Sequence, residues 1–286
     1  MAGRLGGHWG CDLQKQIRDG TTMLKAWQLP RRPGETDAEL TARRDRQYFL
    51  DQIEENIEWW RRMGISIDLV GKRVLEVGCG HGALSINAAQ RGAAVVVGID
   101  IDQQRVNFAN TNIAANPVPG GNVSFRTGEL ADIDSGSFDL VMSKDCFEHV
   151  VDLPRMMSEI HRVLADGGLL VAGFSPLYYS PWGDHGRTRL GGLPWLHVAL
   201  PEAAIKLWLR YRHGQIIDSI ADLGLNKMTT TEFGRIIHDG GWRIRSIRIN
   251  QKDGSKLIRL FDALRKIPPL ERFFAVSIYA VLEKAS

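Results

Sequence analysis

The feature that most constrains this chain is Arg73-Val74-Leu75-Glu76-Val77-Gly78-Cys79-Gly80-His81-Gly82, a short apolar run ending in glycines at alternate positions. The run has the length of a buried parallel strand, and Ala83 to Arg91 reads as a helix stopped by Gly92. Strand, glycine turn and helix form the context in which a Gly-rich motif signals nucleotide binding. The turn needs positive φ, and the backbone must approach a ligand without Cβ atoms. A second strand, Ala94 to Ile99, ends in Asp100. That acid lies about 20 residues beyond the first glycine, the spacing at which a carboxylate accepts hydrogen bonds from ribose hydroxyls.

Two cofactor classes fit this unit. Gly78, Gly80 and Ala83 satisfy G-x-G-x-x-A, the dinucleotide fingerprint, which would make the chain an NAD-dependent oxidoreductase. Glu76 inside the strand and the third glycine, Gly82, point elsewhere. The pattern E-x-G-x-G-x-G resembles motif I of the class I S-adenosylmethionine-dependent methyltransferases. The resemblance implies S-adenosylmethionine as methyl donor, with Glu76, Gly78, Cys79, Gly80, Gly82, Asp100 and Ile101 in its binding set. A buried acid in an apolar strand is costly unless hydrogen-bonded, so Glu76 should find a partner at the glycine loop or the ligand.

The rest of the chain follows the same alternation. Asp102 to Ala115 reads as a helix, Val123 to Arg126 as a third strand and Phe138 to Ser143 as a fourth. By the resemblance, Glu129 and Leu130 stand where relatives touch adenine, and Ser143 closes the cofactor set. Lys144-Asp145-Cys146-Phe147-Glu148-His149 and Arg162-Val163-Leu164-Ala165-Asp166-Gly167-Gly168 are similar to the branch that includes the ubiquinone and menaquinone methyltransferases. A helix from Asp152 to Leu164 and a fifth strand from Leu169 to Phe174 complete five βα units. Later, Trp242 to Asn250 and Phe273 to Leu282 read as strands. The fold class expected is α/β, Rossmann-like: a mainly parallel seven-stranded sheet with helices on both faces and a late antiparallel hairpin. A dehydrogenase would need a second βαβ half instead.

Residues 1–35 read as a loosely ordered N-terminal segment ahead of a single domain, 36–286. Thr36 and Glu39 form a capping box opening a helix over 36–64, whose apolar face comprises Leu40, Phe49, Ile53, Ile57, Trp60 and Met63. Tyr48, Trp59 and Trp60 either line the cofactor entrance or pack the helix onto the sheet. Residues 175–228 form an insertion where relatives build substrate-binding elements. Its aromatic residues Tyr178, Tyr179, Trp182, Trp195 and Trp208 suit a lid, with Gly183, Gly186, Gly191 and Gly192 as hinges or plain turns. Within it 193–211 is strongly apolar, and offers either a packed helical cover or a peripheral membrane or lipid contact.

The net charge of +3 is too mild to call for nucleic acid, and no basic stripe with interleaved aromatics occurs. Cys11, Cys79 and Cys146 form no disulfide framework, and there is neither a signal-type apolar core nor a run of about 18 apolar residues. These features lead us to expect a cytoplasmic enzyme acting on a small molecule, a lipophilic, phenolic or sugar hydroxyl. A non-catalytic S-adenosylmethionine-binding protein is the alternative without chemistry. A hydroxyl acceptor must lose a proton, and His149 and then His185 are the catalytic candidates for taking it. Asp145, Glu148 and His149 form D-x-x-E-H, which resembles the E-x-x-E-H that holds a divalent ion in some ubiquinone O-methyltransferases; the expectation from sequence is that no metal is needed.

Overall fold

The computed structural model describes residue 26 and residues 29–251 and 255–285. The reading of 1–35 therefore falls largely outside the described residues, as does Cys11. The chain divides at Asp51 into two compact units. In the first, Thr36 and Glu39 make the expected capping box, each side chain receiving the other's backbone N–H. Arg43 braces that corner by donating to Glu35 and to the Pro30 carbonyl. Helix α1 spans Asp37–Arg62.

In the second unit the sheet order is β3-β2-β1-β4-β5-β7-β6. Strands β1 (Arg73–Val77), β2 (Val95–Asp100), β3 (Asn122–Thr127), β4 (Phe138–Lys144) and β5 (Leu164–Phe174) run parallel. β7 (Ile278–Lys284) lies antiparallel between β5 and β6 (Trp242–Ile249). The intervening helices are α2 (Ala83–Gln90), α3 (Gln103–Ala115) and α4 (Leu153–Val163), then α5 (Leu196–Ala199) and α6 (Glu202–His213) in the insertion. After these come α7 (Thr230–Asp239), α8 (Lys256–Leu264) and the short α9 (Glu271–Phe274). The antiparallel pair replaces the second βαβ half that a dinucleotide-binding dehydrogenase would carry, which removes the NAD reading.

Both sheet faces are covered by apolar clusters, one built on Trp59, Met63, Leu84 and Met142, the other on Phe147, Met157, Phe174 and Phe233. Trp59 and Trp60 pack into the first of these, so they hold the helix to the sheet and do not line an entrance. Three expectations shift. Ile57 is exposed while Asn56 takes the inward position, because Asn56 donates to the Ala83 carbonyl and accepts from Lys144. The fifth strand begins at Leu164, where Leu164 pairs with Phe138 before an irregularity in register. The last strand begins at Ile278: Phe273 and Phe274 lie in α9, and the Asn250 amide bridges the Phe274 carbonyl and the Val276 N–H to set the turn into β7.

Gly82 caps α2 at φ 82°, and a Cβ there would sit 2.5 Å from Phe125. Gly98 on β2 faces the same ring, so the glycines form the seat for Phe125 that keeps β3 on the sheet. Gly82→Ala combines left-handed strain with overpacking and is expected to lower unfolding free energy by about 2–4 kcal/mol. Chemical denaturation should show that loss, and Phe125→Leu in the same chain should recover part of it.

Candidate functional site

A cleft of about 670 Å³ opens at the carboxyl ends of β1, β2 and β4. Its order follows from backbone hydrogen bonds. The N–H groups of Gly78 and Cys79 both donate to the Ile99 carbonyl, which locks the β1 turn beside the end of β2. The Gly80 N–H then donates to one Asp100 oxygen at 2.8 Å, and the Asp102 N–H to the other at 2.9 Å. Each oxygen keeps a lone pair, so the Asp100 carboxylate is oriented before any ligand arrives.

Gly78, Asp100, Ile101, Glu129 and Leu130 line this cleft together with Asp145, Cys146 and His149. Gly78 has φ 74°, and a Cβ there would meet the Cys146 sulfur at 2.7 Å, so only glycine keeps the floor open. Cys79, Gly80 and Gly82 shape the turn but do not line the cleft. Ser143 is buried beneath it, its hydroxyl donating to the Val77 carbonyl, and acts as a tie between β4 and β1.

Glu76 also lies below the cleft. Its partner within the protein is the Ser85 hydroxyl on α2, which donates to it at 2.5 Å. Alternation along β1 turns Glu76 toward the helix packed on that sheet face. Complete burial pushes its carboxyl up to about 8, with the Ser85 hydrogen bond and the Lys144 charge only partly opposing. Lys144 is itself buried and held below the ordinary lysine range, chiefly by desolvation, with its ammonium 3.1 Å from the Asn56 carbonyl oxygen.

The far end of the cleft is built by the insertion. Asn226 donates to the Phe147 and Val150 carbonyls and so fixes the short turn 147–149. His149 Nδ1 lies 2.8 Å from the Gly224 carbonyl, so it carries the proton and leaves Nε2 as acceptor, facing Arg187 at 3.4 Å. His185 Nε2 likewise donates to the Pro176 carbonyl at 3.0 Å, leaving Nδ1 free to accept. The two rings sit 4.7 Å apart. Burial keeps His149 below the usual imidazole range and takes His185 down to about 4, helped by His149, so both are neutral near pH 7.

Glu148, His149 and His185 bring ligand-type atoms within 4.8 Å of one another, and Asp145 is not in that group. The Glu148 side-chain oxygens are buried without a side-chain donor, and burial followed by the nearby Asp145 charge holds its carboxyl well above the usual range. The D-x-x-E-H spacing therefore gives way to a constellation with His185 as third member, something chain spacing alone does not reveal.

Arg105, Arg155, Met156, Arg187 and Gly224 also line the cleft and were missed in the sequence. Arg105 and Arg155 lie in the first turns after the N-caps Asp102 and Asp152, a local signal that helix-start reading could have used. Arg187 had no such signal. Its place depends on donating to the Leu223 and Gly224 carbonyls. The insertion's aromatics do not wall the cleft: Tyr178 packs on Tyr179 and His197, and Trp195 on Phe261 and Phe274. Gly183 is no hinge, since a Cβ there would lie 2.1 Å from the Leu177 carbonyl oxygen.

The Glu76 environment predicts a measurable pH dependence. Its folded pKa lies above the value of 4.5 for a free carboxyl, so the native state holds a proton that the unfolded chain has released. Its stabilising contribution is full below about pH 4.5 and is lost as pH rises toward 8, by a few kcal/mol, order-of-magnitude. Between pH 5 and 8 the thermal midpoint of the wild type should fall more steeply than that of Glu76→Gln. Parallel curves would mean that Glu76 is ionised in the fold.

Residues 75–172 match the family model described as a methyltransferase domain. Over 115 residues the chain is 36% identical to the ubiquinone biosynthesis O-methyltransferase of Neisseria meningitidis, covering 40% of this chain and 48% of that protein. Over 95 residues it is 37% identical to the magnesium-protoporphyrin O-methyltransferase of Rhodobacter capsulatus, covering 32% and 41%. The chain thus spans about half the length of the curated relatives it matches. An S-adenosylmethionine-dependent methyltransferase from Mesorhizobium loti superposes with a TM-score of 0.53 at 18% identity, over 81% of this chain and 99% of that one. The magnesium protoporphyrin IX methyltransferase from Synechocystis, with bound SAH, gives 0.51 at 19% identity over 97% and 95%. At such identities the superpositions speak for the fold. Together with the motif and the sheet order, these matches identify residues 75–172 as belonging to the class I S-adenosylmethionine-dependent methyltransferase family.

Proposed function

We propose that the protein transfers the methyl group of S-adenosylmethionine to a hydroxyl of a small, partly lipophilic acceptor. The observation that carries this reading is the pre-oriented Asp100 carboxylate at one end of a single cleft and the neutral His149 at the other. Asp100 suits the ribose hydroxyls, with Glu129 and Leu130 beyond it for the base, while Ile101 offers an apolar surface. The sulfonium methyl is already activated, so the protein's main contribution is alignment of the acceptor for in-line attack. The acceptor end mixes Val150 and Met156 with Arg155 and Arg187, which suits an apolar body bearing a polar or anionic group. The O-methyltransferase names of the relatives agree with an oxygen acceptor.

His149 is the base in this reading, because its Nε2 lone pair is held outward by the Gly224 hydrogen bond. Arg187 would release it as the acceptor hydroxyl arrives. A second reading is favoured by the buried Glu148 carboxylate: Glu148, His149 and His185 would hold a divalent cation, which lowers the pKa of a bound hydroxyl. Turnover in EDTA separates the two. Unchanged rates leave His149 acting alone, and loss restored by magnesium or manganese assigns the cation.

Asp100→Ala is expected to weaken S-adenosylmethionine binding by about 1–3 kcal/mol in calorimetry, as for a lost charged hydrogen bond. Unchanged affinity in the folded variant would remove the ribose assignment. His149→Ala should lower kcat by about 10²–10⁴ with cofactor affinity retained. Since the neutral imidazole is the active form and its pKa is lowered, the acid limb of the kcat profile should fall below pH 6.5. Full binding with no turnover on phenolic and lipid extracts would leave a cofactor-binding protein without chemistry.

A further inference from the structure

The apolar stretch 193–211 is divided in the fold. Ile205 and Leu209 turn inward to a local cluster with Tyr178, Ile217, Ile220 and Leu223, and only part of its apolar surface stays outside. A second outward apolar surface lies on α8 and the turn after it. Leu257 and Leu260 are 47% and 53% exposed, and Ile267 just beyond the helix is 51% exposed. Lys256, Arg259 and Lys266 are exposed beside them. On a 3.6-residue helix Leu257 and Leu260 are neighbours one turn apart, and Lys256 and Arg259 fall on the adjoining flank, with Lys266 in the turn beyond the helix.

The opposite side of α8 is fastened down. Phe261 is buried, with its ring 6.0 Å from Trp195 and 5.3 Å from Phe274, and the Ser255 hydroxyl caps the Ile258 N–H. Among the described residues, the acids beside this face are engaged as well: Asp262 with Arg265 and Lys266, and Glu271 with Thr230. The outward face is therefore leucine and isoleucine bordered by positive charge.

We propose that α8 is an interfacial contact through which the protein docks on an anionic lipid bilayer. Aliphatic side chains at the centre enter the acyl boundary, while Lys256 and Arg259 meet lipid phosphates. Charge favours this occupant over a second copy of the chain. A two-fold dimer through this face would set Lys256 and Arg259 against their own copies. The site is independent of the methyl-transfer chemistry, which lies at the ends of β1, β2 and β4.

The test is co-sedimentation of the full chain with vesicles of phosphatidylglycerol and phosphatidylcholine, against vesicles of phosphatidylcholine alone. Binding is expected only with the anionic vesicles, and should weaken in about 0.5 M salt, where charge is screened within a few ångströms. Leu257→Glu with Leu260→Glu should reduce the partition at least tenfold while circular dichroism and cofactor affinity stay unchanged. Lys256→Glu with Arg259→Glu, which removes charge and leaves the leucines, should reduce it similarly. No binding to anionic vesicles overturns the proposal, as does binding that both pairs of substitutions leave intact. Self-association in sedimentation velocity that requires Leu257 and Leu260, without vesicle binding, would assign the face to a second copy instead. Failure on vesicles would leave cofactor binding and turnover, and so the methyltransferase reading, untouched.

Discussion

The arrangement depends first on the hydrogen bonds that converge on Asp100. One of its oxygens is held by the Gly80 N–H and the other by the Asp102 N–H, while the Ile99 carbonyl receives both Gly78 and Cys79. The turn after β1 and the start of α3 are thereby tied to one carboxylate. A glycine turn left to itself is the most permissive backbone in the chain, and a flexible ligand site loses affinity to ordering. Fixing the turn against Asp100 places that ordering in folding, where the whole sheet supports it. The same device explains the seat for Phe125, since Gly82 and Gly98 must lack Cβ atoms for β3 to close on the sheet.

Beneath the cleft the protein buries polar groups whose pKa values burial shifts toward the neutral form. Glu76 is raised and accepts from Ser85, Lys144 is lowered and donates to Asn56, and Asn56 is anchored on the Ala83 carbonyl. In a low-dielectric floor, pairing and pKa adjustment reduce a desolvation cost that bare charges would make prohibitive. Asp100, by contrast, lines the cleft itself, with both oxygens held by backbone N–H groups.

The insertion does its work through backbone carbonyls. Gly224 sets the His149 tautomer, Asn226 fixes the turn before α4, and Arg187 is steered by two carbonyls of residues 223–224. Aromatic residues that suggested a substrate wall instead make the insertion rigid, by packing on one another and on Phe261 and Phe274. The long segment thus supplies positioned polar groups on a stable support. This is the physical condition for holding a base or an ion in register.

Local sequence determined what depends on neighbours in the chain. The β1 turn, Asp100, the capping box at Thr36, the helix starts at Asp102 and Asp152 and the late hairpin were legible because turn chemistry, capping and periodicity act over a few residues. Tertiary structure alone decided which distant side chains meet. His149 and His185 stand 4.7 Å apart because 175–228 folds back over the turn at 147–149, and Glu76 finds Ser85 because a strand side chain must satisfy whatever helix covers it. Asn56 displaced Ile57 from the inner face for the same reason: a buried Lys144 needed an acceptor, and hydrophobic periodicity carries no record of that demand.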